Sequence, residues 1–172
     1  MTRSVRIPAG SALAATQHDA DFADAYEVLV PNSALTATEI YRGITRQTPG
    51  WVEGLMRLRN KVVQPLGLKD LGAMAMVPPG DAVPGQRMGL FEVVSVAPDE
   101  LVLQDNDKHL VVQLSILKQT HDKLTLSTVV HIHNTLGRVY MAFVGPAHKL
   151  IAPAVVRRAP QAVLASLRQS GP

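Results

Sequence analysis

Residues 109–133, HLVVQLSILKQTHDKLTLSTVVHIH, contain two runs in which apolar side chains recur at every second position, the period of a β-strand. Two sets of side chains share the inner face: Leu110, Val112, Leu114 and Ile116 in the first run, and Leu124, Leu126, Thr128, Val130 and Ile132 in the second. A buried face must continue between paired strands, which restricts the register. A loop over residues 120–122 then closes an antiparallel hairpin with His109 opposite His133 and Val111 opposite His131.

Further short alternating runs lie on both sides of this hairpin, at residues 24–31, 90–96, 100–104 and 138–144. The last of them, RVYMAFV, follows the loop NTLG, and its alternation places Val139, Met141 and Phe143 on the core face. The connections from residue 90 onward are too short for parallel crossovers. The sequence therefore predicts six strands, with an antiparallel meander over residues 90–144.

Two helices are predicted between the first strand and the meander. Thr36 and Glu39 have the spacing of a capping box. Thr48 followed by Pro49 is typical of a second helix start, and this second helix should end near Pro65 and Gly67. Its predicted apolar stripe consists of Trp51, Leu55, Leu58 and Val62.

After the meander, residues 147–157 have the apolar spacing of a helix that covers the sheet. Pro153 and Pro160 are expected to kink or break this closing helix. Its predicted inner side is formed by Leu150, Ile151, Ala154 and Val155. His148, near its start, is interpreted either as an anion ligand at a helix N-terminus or as an ordinary cap-region residue.

The order of strand, two helices, a run of strands and a helix predicts the α+β class. A hydrophobic content of 47% over 172 residues suits one domain spanning residues 1–172. Residues 1–22 form an N-terminal strap ahead of the first strand. Residues 72–89, rich in glycine and proline, are predicted to be an extended connection, which is either an ordinary surface loop or a flap over a site.

Composition restricts the partners. The chain has no cysteine, which removes disulfides and thiolate ligands and is typical of a cytoplasmic protein. No segment was expected to serve as a signal peptide or to approach a membrane span. The 17 basic and 14 acidic residues are scattered, and one Trp, three Tyr and three Phe offer few rings for stacking on bases, so nucleic acid is not an expected partner.

The predicted strands bring six polar side chains together on the face opposite the core: Asp107, His109, His131, His133, Arg138 and Tyr140. Two or three imidazoles and a carboxylate are suitable metal ligands, but a guanidinium beside His133 would repel a divalent cation, so no metal is expected. Three interpretations of this patch stay open: the solvated face of an antiparallel sheet, a site for an anion or a carbonyl, or a dimer interface.

Four phrases connect the chain to a known family: DADFADAYEV at 19–28, GWVEGLMRLRNKVVQPLGL at 50–68, DNDKHLVVQLSIL at 105–117 and HNTLGRVYMAFVGPAHKLI at 133–151. Together they resemble a bacterial domain of unknown function that is found alone or fused behind a domain similar to short-chain dehydrogenases. The resemblance supplies no catalytic residue. The fused architecture implies a role in small-molecule metabolism.

The order of elements over residues 24–168 also resembles the helix-grip fold of START lipid-transfer domains, polyketide cyclases and pathogenesis-related allergens, which usually has seven strands. That resemblance implies a curved sheet that holds the C-terminal helix around a cavity. The leading hypothesis is therefore a module that binds a small, largely apolar molecule, with no cofactor. The candidate contacts are Trp51, Met56, Met74, Met76, Met88, Met141 and Phe143.

Two other functions stay open at this point. One is an enzyme, such as an isomerase, cyclase or hydrolase, in which His109 or His133 transfers protons and Arg138 stabilises negative charge. Polyketide cyclases indicate that the same fold class supports both binding and catalysis. The other is an accessory domain that docks on a dehydrogenase-like partner.

Overall fold

The hairpin of residues 109–133 forms the centre of the sheet in the computed structural model, which describes residues 2–31, 34–63, 77, 80–119 and 122–169. Strands β6, Leu110–Gln119, and β7, Lys123–Ile132, are antiparallel. Leu110 pairs with Ile132 and Val111 with His131, so the predicted register is confirmed. Alternation and the length of the connecting loop were sufficient to define it.

Five more strands complete one antiparallel sheet of seven strands in the order β1-β2-β7-β6-β5-β4-β3. They are β1 Arg3–Val5, β2 Phe22–Leu29, β3 Arg87–Met88, β4 Phe91–Val96 and β5 Glu100–Asn106. The described residues also form four α-helices, so the fold is α+β, as predicted. The sequence missed β1 and β3, which have only three and two residues.

The predicted strand at 138–144 is wrong, because these residues lie inside helix α3, Thr135–Val156. Asn134 is the N-cap of this helix, and its Oδ1 accepts a hydrogen bond of 3.1 Å from the backbone N–H of Gly137. An N-cap of this kind satisfies an otherwise unpaired amide and starts a helix. The segment is apolar on all sides, so seven residues of alternation did not distinguish a strand from a helix.

The closing helix is longer than predicted and divides at a different point. α3 runs through both Pro146 and Pro153, the chain turns at Arg157 and Arg158, and α4 covers Ala159–Gln169. Pro160 lies in the first turn of α4, where the missing N–H would have no helical partner. Within the predicted inner side, Val155 is buried but Leu150 is 69% exposed.

Helix α1, Ala37–Arg46, starts at the predicted capping box. The Thr36 hydroxyl accepts from the Glu39 N–H at 3.3 Å, and the Glu39 carboxylate accepts from the Thr36 N–H at 2.7 Å. Ile40 and Ile44 of α1 are buried against the sheet. The confirmed box therefore fixes the start of the helix that forms one wall of the core.

Helix α2, Gly50–Val63, begins close to the predicted position but presents another face. Trp51 and Leu55 are 49% and 37% exposed, whereas Val52 is fully buried, so the predicted apolar stripe is wrong for these two side chains. The spacing of Trp51 and Leu55 is helical but does not say which side of a helix is covered. The side chains of Leu58 and Val62, and the predicted stop near Pro65 and Gly67, lie outside the described residues.

The main core fills the space between the concave face of the sheet and helices α1, α3 and α4. Its fully buried side chains include Leu103, Ile116 and Leu124 from the sheet and Val156 from α3. Of the predicted flap, residues 77 and 80–89 are described, and there Val77 packs on this core and Met88 is fully buried. That part of the segment is thus attached to the core.

The N-terminal strap covers the convex face of the sheet. Ile7 and Leu13 pack there on Val102 and Val129 in a second, smaller core. The Glu100 carboxylate accepts hydrogen bonds from the hydroxyls of Ser11 and Ser115 at 2.7 and 2.5 Å and from the Ala12 N–H at 3.1 Å. A solvated convex face was one of three open interpretations, and the strap shows that it is wrong over the centre of that face.

By length and hydropathy, the stretch Thr135–Arg168 is apolar enough to cross a membrane, contrary to the expectation from the sequence. Only 22% of its most apolar 18-residue segment is buried. The turn at Arg157 and Arg158 interrupts the stretch, and one side of α3 faces the sheet. Length and composition alone are weak evidence for a span.

Replacing Gly137 by alanine tests how closely α3 approaches the sheet. A Cβ at this position would collide with the His109 carbonyl oxygen and lie 2.9 Å from Ile132 Cγ2. We expect Gly137→Ala to lower the free energy of unfolding by about 1–3 kcal/mol, as overpacking does. Gly145→Ala, in the same helix with nothing within 4 Å of the new Cβ, is the control and should be neutral or stabilising in urea unfolding. Equal stability of the two variants would contradict the close approach.

Removing Glu100 tests the attachment of the strap. Glu100→Ala leaves the buried hydroxyls of Ser11 and Ser115 without their carboxylate acceptor, and we expect a loss of about 1–3 kcal/mol. Glu92→Ala removes an exposed carboxylate from β4 and should change stability by less than about 0.5 kcal/mol. Proteolysis at the N-terminus should accelerate in the first variant alone, and similar digestion of both would refute the attachment.

Candidate functional site

A cavity of about 190 Å³ lies between the concave face of the sheet and α3. Its floor is formed by inward-facing side chains of β6 and β7, and its cover by one side of α3. The lining side chains from the sheet include Leu110, Val112, Leu114, Ile116, Leu124, Leu126, Thr128 and Val130, and those from α3 include Tyr140, Met141, Val144, His148, Ile151 and Val155. The wall is therefore largely apolar.

The predicted inner face agrees well with this cavity on the strands. Leu110, Leu114 and Val130 are buried, and Val112 and Leu126 are half-buried where they line the space. Ile132, at the end of β7, is half-buried. Met141 lines the cavity from α3, but Phe143 is 78% exposed because it lies on the opposite side of that helix. The assignment of Phe143 to the core was therefore wrong.

One end of the cavity is polar, where Asp24, Thr128 and His148 meet. His148 Nε2 lies 3.2 Å from Asp24 Oδ1 and 3.2 Å from Thr128 Oγ1. Thr128 and His148 line the cavity, and the Asp24 side chain is 13% exposed. These three side chains are called the polar triad below.

The protonation of the polar triad follows from its contacts. A carboxylate accepts only, so the Asp24 contact requires Nε2 of His148 to carry a proton. In a neutral imidazole Nδ1 is then the acceptor, and the Thr128 hydroxyl keeps its own hydrogen to donate. The triad thus places a hydroxyl and an imidazole, from two residues that line the cavity, beside a carboxylate.

Aromatic side chains fix the surroundings of the polar triad. The Phe22 ring contacts the His148 ring edge to face, with centroids 5.6 Å apart. Burial, the nearby charge of Asp24 and a side-chain hydrogen bond with Asp24 raise the pKa of Tyr26. The Asp24 carboxylate is thus held beside the cavity by His148 and Tyr26.

Other polar side chains line the remaining wall. They are Tyr41, Thr45, Asp105, Asp107 and Tyr140. Asp105 is 8% exposed, and Asp107 Oδ1 accepts from the His109 N–H at 3.3 Å. Burial raises the pKa of Tyr41 well above that of free tyrosine. This phenol is therefore neutral wherever the protein is folded near neutral pH.

The predicted row of six polar side chains is not formed, because residues 138–144 are helical. His109 Nδ1 contacts the Asn134 side-chain amide at 3.1–3.2 Å, and the His133 N–H donates to the His109 carbonyl at 2.9 Å. His131 Nε2 lies 3.2 Å from the Thr16 carbonyl, under the strap. Arg138 is exposed on α3.

The other two members of that row, Asp107 and Tyr140, line the cavity on the opposite face of the sheet from His131. Among the described residues, no three His, Asp or Glu side chains are placed to share a metal ion. The enzyme hypothesis, in which Arg138 acts beside His109 or His133, thus loses its geometric basis, because Arg138 lies on α3. What the structure brings together instead is the polar triad.

The predicted ligand contacts divide into four groups. Met56 and Met141 line the cavity. Trp51 is half exposed on α2, and Met88 is fully buried in β3 as part of the main core. Met74 and Met76 lie outside the described residues.

Sequence reasoning missed Asp24 and Thr128 as functional residues and assigned His148 to a helix start. Two signals were present in the alternation. Asp24 shares its strand face with Phe22, Tyr26 and Val28, and Thr128 lies between Leu126 and Val130 on the core face. A carboxylate and a hydroxyl on otherwise apolar strand faces point to a buried polar contact. Their common partner, His148, follows only from the path of α3.

The fold and the cavity define an α+β protein in which an antiparallel sheet and a C-terminal helix border a small, largely apolar space whose wall includes Thr128 and His148. Residues 16–155 match the model of a family described as "Protein of unknown function (DUF2867)", so the chain belongs to this family. No curated protein and no solved structure matches the chain.

The neutral Tyr41 phenol predicts how stability changes at alkaline pH. In the unfolded chain a tyrosine ionises near its ordinary pKa of about 10, whereas burial keeps Tyr41 protonated in the folded protein. The stability linked to Tyr41 is therefore complete below pH 10 and decreases as the pH rises above it. Tyr41→Phe should reduce this decrease in urea unfolding series measured on both sides of pH 10. Tyr26 is still present in the variant, so part of the decrease in stability with pH remains. An identical decrease in the variant and the parent would contradict the role of Tyr41.

Proposed function

We propose that this protein binds a small, largely apolar molecule in the cavity, with one polar group of that molecule held by the polar triad. The observation that carries the proposal is a largely apolar cavity whose wall includes Thr128 and His148, which contact each other and, through His148, the Asp24 carboxylate. Ligand sites typically combine an apolar wall with a few placed polar groups. The resemblance to helix-grip proteins agrees with this use of a space between sheet and helix.

The volume limits the ligand. An engineered apolar cavity of about 150 Å³ in another protein accepts benzene. The cavity of about 190 Å³ formed here is suited to a molecule built on one ring or a short branched chain. One hydroxyl or carbonyl on such a molecule would be sufficient to form a hydrogen bond with Thr128 or His148. A ligand hydroxyl and a ligand carbonyl would use different partners in the triad.

The first experiment asks what the purified protein contains. The protein is denatured, and the extract is analysed by mass spectrometry for a small molecule in stoichiometric amount. Whether or not one is found, binding of toluene and para-cresol is then measured by calorimetry and by the rise in melting temperature. These probes have the same ring, and only one carries a hydroxyl.

We expect para-cresol to bind about fivefold more tightly than toluene, the value of roughly one net hydrogen bond. Thr128→Val should remove this preference while toluene binding remains. The control is Ser127→Ala, which deletes a neighbouring buried hydroxyl on the convex face. Loss of the preference in both variants, or its persistence in Thr128→Val, would contradict the role of the triad.

A second pair of variants tests the cavity itself. Val112→Trp fills the space from the concave side of β6 and should abolish binding of both probes. Val111→Trp adds the same side chain on the convex side of that strand and should leave binding intact. Circular dichroism and melting curves verify that both variants fold. Full binding by a folded Val112→Trp would refute the proposal.

A second candidate function is proton transfer, favoured by the contact between Asp24 and His148. A carboxylate that orients an imidazole is the usual arrangement of a general base. The resemblance to domains fused with dehydrogenase-like proteins agrees with metabolic chemistry of this type. Exchange of deuterium from heavy water into the extracted molecule, catalysed by the parent and not by His148→Gln, would distinguish an enzyme from a binding module.

A further inference from the structure

The outer side of α3 carries an apolar stripe that the cavity does not use. Val139, Phe143 and Leu150 are 47%, 78% and 69% exposed, and Ala142 and Pro146 between them are also exposed. Positions 139, 143, 146 and 150 follow the spacing of one helix face. These five residues are called the α3 stripe. At 1.5 Å per residue it extends for about 17 Å along the helix.

The stripe lies opposite the side of α3 that covers the cavity. Tyr140, Val144, His148 and Val155 of that helix line the cavity, whereas the stripe residues do not. The helix therefore has two apolar sides, of which one is accounted for by the fold. This second apolar side contributes to the high hydropathy of the stretch Thr135–Arg168, in which only 22% of the most apolar 18 residues is buried.

The Asp, Glu, Lys and Arg side chains in the stretch from α3 to α4 are all of one sign. Residues 135–169 contain no Asp or Glu, although the chain has 14 acidic residues. The same stretch contains five basic residues: Arg138, Lys149, Arg157, Arg158 and Arg168. Arg138 and Lys149 are exposed beside the stripe, and Arg157 is exposed directly beyond the end of α3.

We propose that the α3 stripe docks on the surface of an anionic lipid bilayer. An apolar helix face bordered by cations is suited to the boundary between headgroups and acyl chains, where apolar side chains enter and cations meet acidic headgroups. A second copy of the chain fits less well. Two stripes facing each other across a two-fold axis would bring both sets of cations together with no acidic residue in the helices to offset them.

The docking surface is separate from the cavity, so the proposal stands apart from ligand binding. If docking on a bilayer is wrong, the protein will not bind vesicles as expected, and the cresol and toluene measurements will be unchanged. If both proposals are correct, the docked helix is also the cover of the cavity. An apolar ligand dissolved in the bilayer would then approach the protein from the side of α3.

Vesicle sedimentation tests the proposal with the full chain. Partitioning is measured with vesicles of phosphatidylcholine alone and with vesicles that also contain phosphatidylglycerol. We expect the anionic lipid to increase partitioning by at least about tenfold, and added salt to reverse the increase. Arg138→Gln combined with Lys149→Gln should remove most of this dependence.

The apolar part is tested by Phe143→Ser and Leu150→Ser, each expected to weaken partitioning by about tenfold or more. The matched control is Leu29→Ser, which removes a leucine that is 60% exposed at the end of β2 and should have no effect. All these side chains are on the surface, and melting curves verify that the variants fold. An equal loss in the control would overturn the assignment to α3.

Sedimentation equilibrium of the protein without lipid supplies the remaining outcomes. A monomer that binds anionic vesicles through Phe143 and Leu150 supports the proposal. A dimer that Phe143→Ser dissociates, together with no vesicle binding, assigns the stripe to a second copy and overturns it. Absence of binding to either vesicle type, or equal binding to both, also overturns it.

Discussion

The close contact between the start of α3 and the turn that joins β5 to β6 is the constraint on which the site depends. Gly137 packs directly on the His109 carbonyl, Asn134 caps the helix, and the same Asn134 side chain contacts His109 Nδ1 and donates to the Lys108 carbonyl at 3.1 Å. This set of contacts fixes the angle at which α3 leaves the sheet. Three turns later the same helix brings His148 to Asp24 and Thr128.

The sheet is covered on both faces by different parts of the chain, and the two coverings differ in chemistry. On the convex side the strap is held by hydrogen bonds to one carboxylate, Glu100, and by a small apolar core. On the concave side the helices leave a space that side chains do not fill. In the described residues, the unfilled space therefore lies on the side of the sheet that α3 covers.

The sequence predicted an element correctly where its pattern was consistent with only one kind of secondary structure. The β6–β7 register followed from alternation and a short loop, and the start of α1 from Thr36 and Glu39. The sequence did not identify the secondary structure of residues 138–144. Apolar or aromatic side chains lie on both sides of this segment, and they made a strand and a helix equally plausible: Val139 and Phe143 on the outer side, Tyr140 and Val144 on the inner side. That one error displaced Arg138 and Tyr140 and produced a polar row that does not exist. The contact between Asp24 and His148 joins residues 124 positions apart, and no local pattern encodes it.

The two ends of the sheet affect how the protein behaves at high concentration. An open sheet exposes unpaired backbone groups at its edges, and these can add strands from other molecules. Here the outermost strands, β1 and β3, have three and two residues, and the register of β4 shifts between Val93 and Ser95. Short edges and a bulge disrupt the flat row of donors and acceptors that edge-to-edge growth requires. The outermost strands of the described sheet therefore offer few backbone groups to which a strand of another molecule could add.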